Sequence, residues 1–93
     1  MKEVNMSSCL LECCVDSVES ALIAAENGAD RLELCSGLVI GGLTPSPSLY
    51  EGIRAHSNIP IHVLVRPRFG DFLYSREELD IIQRDILHFR ALG

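Results

Sequence analysis

The chain has no excess of positive charge, no long apolar run and no zinc-finger cysteine spacing, and each absence removes a class of function. Eight Lys plus Arg against thirteen Asp plus Glu leave a formal charge of −5, so no general attraction to nucleic acid or to an anionic membrane surface is expected. No apolar run approaches the ~20 residues of a membrane span. Residues 1–8 lack the basic-then-apolar pattern of a secretory leader. Cys9, Cys13, Cys14 and Cys35 are therefore expected to be reduced thiols of a cytoplasmic protein. The four form neither a CxxC pair nor a C2H2 spacing, which argues against structural zinc. Gly41-Gly42 lacks the spacing of a dinucleotide or phosphate-loop fingerprint and reads as loop flexibility. Lysine is almost missing too, since Lys2 is the only one among eight basic residues. Arginine suits fixed, planar contacts to anions.

What is present is 93 residues with 47% hydrophobic and 23% charged content, enough for one small globular core. From Leu10 onward a strand-like run, a polar turn and a helix-like period recur three times, giving βαβαβα. Strands are expected at 10–15, 31–34 and 61–65. Asp16-Ser17-Val18-Glu19 reads as the first helix start, with Asp16 as the cap. Ser46 with Pro47 starts the second helix, whose buried side would be Leu49 and Ile53. Ser75-Arg76-Glu77-Glu78 is a capping box for the third, with Leu79, Ile82, Ile86 and Phe89 as its apolar stripe.

Strands separated by helices should be parallel and joined by right-handed crossovers. Their parity is informative, because side chains alternate between faces. Leu11, Cys13 and Val15 share one face and Glu12, Cys14 and Asp16 the other; Leu32 and Leu34 oppose Arg31, Glu33 and Cys35; Ile61, Val63 and Val65 oppose His62, Leu64 and Arg66. One apolar and one polar-rich face per strand fits a β/α barrel, whose polar interior carries sites at the strands' carboxyl ends. A three-layer sheet with a switch-point crevice is the competing architecture. The long stretches 36–47 and 66–74 are both βα loops, on the side where either fold binds ligands.

Several residues carry chemistry. A Glu-x-Cys unit recurs on the first two strands, so Cys14 and Cys35 could approach closely if their registers match, forming a soft-metal pair; as an alternative they are small buried hydrophobes. Glu12 and Glu33 face the interior, either in ion pairs with Arg31 and Arg66 or as acid/base candidates. Arg66 and Arg68 suit a carboxylate or phosphate, with Asp71, Phe72 and Tyr74 completing a pocket; internal pairing of Arg66 or Arg68 with Glu12, Glu33 or Asp71 is the other reading. His62 is expected in the core, and His56 and His88 at the surface.

Leu11-Glu12-x-Cys14-Val15-Asp16-Ser17, Gly28-Ala29-Asp30-Arg31-Leu32-Glu33-Leu34-Cys35-Ser36, Gly41-Gly42-Leu43-Thr44-Pro45-Ser46 and Arg66-Pro67-Arg68-x-Gly70-Asp71-Phe72-x-Tyr74-Ser75 together resemble the CutC family of copper homeostasis proteins. The resemblance implies a TIM-type barrel, a cytoplasmic location, homo-oligomerisation and a role in copper homeostasis, with Cys14 and Cys35 matching cysteines ascribed to Cu(I) binding. Cys13 departs from the family, which usually has an aliphatic residue there. Family members run to well over 200 residues, so residues 10–93 are expected to be the N-terminal part of an incomplete barrel, after an extension at 1–9. Three functions follow as expectations: copper binding through Cys14 and Cys35; an enzyme acting on a small anion held by Arg66, Arg68 and Asp71, with Glu12 or Glu33 as acid/base; or a truncated form without independent activity, which acts, if at all, by associating with other chains.

Overall fold

Three helix starts set the frame. A computed structural model describes residues 9–93; residues 1–8, most of the expected extension, lie outside the described residues. Ser17, in an extended conformation, accepts from the Ser20 amide and caps α1 (Val18–Glu26). Ser46 accepts from the Leu49 amide ahead of α2 (Pro47–Arg54), with Pro47 where its missing N–H costs nothing. Ser75 and Glu78 form the expected capping box of α3 (Arg76–Leu92). The expectation for Asp16 is corrected. A cap must directly precede the first helical residue, and Asp16 lies one position too early; its carboxylate instead accepts from the Leu38 amide at 3.3 Å.

The strands β1 (Glu12–Val15), β2 (Arg31–Leu34) and β3 (Ile61–Val63) form a parallel sheet in the order β1-β2-β3. The first strand begins two residues later than expected and the third ends two residues earlier. Leu64 still donates to the Leu34 carbonyl at 2.9 Å. After it the Arg66 amide turns to Thr44 Oγ1 at 2.8 Å and the Arg66 carbonyl accepts from the Thr44 amide, so loop contacts replace the ladder.

The parity reading holds. Val15, Leu32 and Leu34 are buried with Ala21 of α1 and with Tyr50 and Ile53 of α2, while Cys13, Val18, Ile61 and Val63 pack against them. In α2 the buried ring is Tyr50, whereas Leu49 is half-buried. Among the described residues the opposite sheet face has no helical layer: Cys14 and His62 are exposed there, and Glu12, Arg31 and Glu33 half-buried.

The α3 stripe departs furthest from expectation. Phe89 is buried, meeting the Tyr50 ring edge-on at 6.2 Å, but Leu79 is 55% and Ile86 48% exposed. The amphipathic pattern is real and most of its partner surface is absent from the described residues. Phe89→Ala is accordingly expected to cost about 3 kcal/mol. It should also free α3 selectively: α3 amides would exchange faster while β2 amides keep their relative protection, as measured by hydrogen exchange.

Candidate functional site

The uncovered sheet face carries the chemistry in three tiers. At the strands' amino ends Arg31 Nε donates to Glu12 Oε2 at 2.6 Å, and His62 Nδ1 lies 3.8 Å from the same oxygen. Here the ion-pair reading of Glu12 is the one formed. His62, expected in the core, has a side chain 60% exposed, because parity turns it toward a face that nothing covers there among the described residues.

In the middle tier the register sets Cys14 beside Glu33, and the Cys14 thiol donates to Glu33 Oε1 at 3.6 Å. Cys35 is therefore two positions further along β2's path. That offset puts the two Cα atoms about 8 Å apart, for strands ~4.8 Å apart rising ~3.3 Å per residue. Partial desolvation and then the Glu33 carboxylate push the Cys14 thiol above its ordinary pKa. Burial, then Asp16 and Cys14, do the same for Cys35. Both are free thiols and hold their protons at neutrality.

The third tier is a cover. Ser36 and Leu43 form an antiparallel bridge that folds the 36–43 loop back on itself. Gly42 thereby lies against Cys35 and Leu64, close enough that an added Cβ would stand 3.4 Å from Cys35 Cβ and 2.8 Å from Leu64 Cδ2. Cys35 is left 1% exposed, its thiol donating to the Val15 carbonyl at 3.7 Å. The expectation of loop flexibility is corrected at Gly42, where glycine is required by close approach and by a φ of +91°.

At the rim the two arginines separate. Arg68 is committed internally: Nε donates to Glu78 Oε2 at 2.5 Å, and NH2 to Asp71 Oδ1 at 3.2 Å and to the Leu73 carbonyl at 2.8 Å. Hydrogen bonds from Arg68 and from the Ser75 amide hold the Glu78 carboxyl below its usual range. Arg66 has carbonyls instead, donating to Gly42 O at 3.1 Å and Gly70 O at 3.0 Å. The aromatic wall is present, with Phe72 over Arg66 and Tyr74 over Arg68, each 5.1 Å from the guanidinium carbon. The capping-box pattern accounts for only half of what Glu78 does. Its second oxygen is the signal in the sequence, because a carboxylate that caps through one still has the other to offer.

Among the described residues no three His, Cys, Asp or Glu side chains cluster as a metal site, and no helix is long and apolar enough to cross a membrane. Parallel βα repeats with one face clad and the other polar, and with long loops at the strands' carboxyl ends, define an α/β protein of the βα-repeat class. The family can be given as well: the CutC family model matches residues 9–93, and the chain belongs to that family. Over 84 residues it is 53% identical to a human protein named copper homeostasis protein cutC homolog, a stretch covering 90% of this chain and 31% of that protein. A CutC family protein of Histophilus somni is 47% identical over 83 residues, 89% of this chain and 34% of the relative. The crystal structure of a Streptococcus agalactiae protein described as a CutC copper homeostasis protein superposes with a TM-score of 0.72 at 33% identity, covering 84% of this chain and 39% of that one. The chain thus spans about a third of the length of the curated relatives it matches.

Proposed function

We propose that residues 10–93 are the first three βα units of a CutC-type TIM barrel, and that the chain serves cytoplasmic copper homeostasis by binding Cu(I) through Cys14 and Cys35. The barrel reading is supported by a sheet in sequential strand order with helices on one face alone, since a barrel's strands carry their helices outside. One observation carries the copper reading: two free thiols, Cys14 on β1 and Cys35 directly after β2, fall on the same parity side of adjacent strands, in a chain about half identical to proteins named for copper homeostasis. Copper is cargo here. Two sulfurs are a donor set that selects a soft monovalent ion. Closing the two-residue offset requires the Gly42 cover to shift, and the Cys14 thiol to leave Glu33.

The test is a competitive Cu(I) titration of the reduced chain. One Cu(I) per chain is expected, weakened at least about 100-fold in Cys14→Ser and in Cys35→Ser, since each removes one of two thiolate ligands. Cys9→Ser and Cys13→Ser should leave it unchanged. Equal affinity in wild type and Cys35→Ser would overturn the reading.

A further inference from the structure

We propose that Arg66 is an anion-binding residue, its guanidinium edge taking a carboxylate or phosphoryl group at the mouth between the 36–47 and 66–74 loops. The site contains no thiol and does not rest on the copper reading.

Charge comes first. Arg31, Arg68 and Arg84 each pair with a carboxylate, whereas Arg66, like Arg54, Arg76 and Arg90, has none among the described residues; what sets Arg66 apart is its buried, unpartnered Nε. Its two carbonyl partners, Gly42 and Gly70, orient the guanidinium but carry no negative charge to neutralise it. Asp71, the acid in the same loop, is turned to Arg68 and to the Leu73 amide, which donates to the same Oδ1 at 3.0 Å, and makes no ion pair with Arg66.

Geometry points the same way. A guanidinium has five N–H donors in one plane, and the terminal nitrogens of Arg66 use two hydrogen bonds to carbonyls, one from each loop. Phe72 lies over the ring-like face, a cation–π contact that occupies the face and leaves the edge for in-plane hydrogen bonds. Arg66 Nε is buried and has no hydrogen-bond partner. A buried donor left unpaired by the protein is uncommon, so this N–H is hydrogen-bonding capacity that the fold itself does not use. A charged, fixed, planar donor group with an unpaired N–H matches the two-oxygen edge of a carboxylate or phosphoryl group. Arg68 and Asp71, expected beside it as ligand contacts, instead brace the loop on which it sits.

The experiment watches Arg66 itself. In the 15N-labelled 93-residue chain, the Arg66 Nε–H resonance is followed while inorganic phosphate or malonate is added against chloride at matched ionic strength. The Arg54 resonance is the control in the same spectrum, since Arg54 also binds backbone carbonyls. A saturable shift at Arg66 alone, with a Kd below about 10 mM, supports the proposal. Saturation by phosphate only assigns a phosphoryl ligand, by malonate only a carboxylate, and by both a site open to either. Arg66→Lys keeps the charge and loses the planar fork; the Gly42 and Gly70 amide shifts should then need at least tenfold more anion. If Arg66 shows no saturable shift, or moves equally with chloride, it is a structural clasp and the proposal is overturned. Both outcomes are read on the unmutated chain, so a misfolded variant cannot obscure them.

Discussion

Gly42→Ala is expected to destabilise the chain by about 2–4 kcal/mol and to make Cys35 reactive. The left-handed φ of +91° costs an alanine about 1 kcal/mol. The new Cβ would then meet Leu64 Cδ2 at 2.8 Å with Cys35 Cβ behind it at 3.4 Å, and overpacking of this kind adds roughly 1–3 kcal/mol. Leu64 has a rotamer to change, but Cys35 lies on the strand path and does not. Domains of this size have about 5–15 kcal/mol in total, so the loss is a large share. Gly28→Ala separates the two contributions, because φ there is +105° and nothing lies within 4 Å of the added atom. Strain alone should cost it about 1 kcal/mol. Urea midpoints measure both variants, and the rate of Cys35 reaction with an aromatic disulfide should rise only in Gly42→Ala. Equal midpoints for the two variants would show that the cover is loose.

If Cys14 and Cys35 bind Cu(I) as proposed, copper affinity is expected to rise about 100-fold per pH unit through the neutral range. Thiolates, not thiols, bind the metal, so each protonated ligand that must lose its proton contributes a factor of about 10 per pH unit. Desolvation and Glu33 raise the Cys14 pKa; burial and Asp16 raise that of Cys35. Both therefore remain protonated throughout that range, and lowering the pH weakens binding. Cys35→Ser should bring the slope to about tenfold per unit. The same shifts bear on stability with a definite sign. A folded thiol that holds its proton more tightly than the unfolded one stabilises the fold below the unfolded pKa, and that contribution is lost as pH rises through the folded pKa. Cu(I) titrations at three pH values, with released protons counted, check the slope. A pH-independent affinity would mean that the ligands are not these two thiols.

Local rules make much of this fold legible. Caps depend on residues three apart, and those at Ser46 and Ser75 stand where expected; β2 occupies the expected Arg31–Leu34, because strong alternation is bounded on both sides by turn residues. What depends on distant neighbours is not legible. The β1–β2 register places Cys14 beside Glu33 rather than Cys35, and nothing within either strand encodes that pairing. Parity gives His62 its face correctly but not its exposure, which depends on whether another surface lies over that face. The same holds for Leu79 and Ile86: helical periodicity identifies a stripe without supplying its partner. The role of Gly42 is hidden in the same way, since its constraint comes from Leu64, twenty-two positions on.

The unclad sheet face also changes what its ion pair is worth. Glu12 and Arg31 are each about one-third exposed, and pairs in that setting contribute about 0–1 kcal/mol. A second surface laid over them would displace the water, and lowering the effective dielectric from ~80 toward ~20 strengthens a pair at 4 Å from about 1 to about 4 kcal/mol. Glu33 has no cation among its partners in the described residues, and the same closure would strand its charge. A surface laid over this face would therefore be favoured by charge as well as by shape: by leaving Glu12 to Arg31 and by offering Glu33 a positive group or a hydrogen-bond donor.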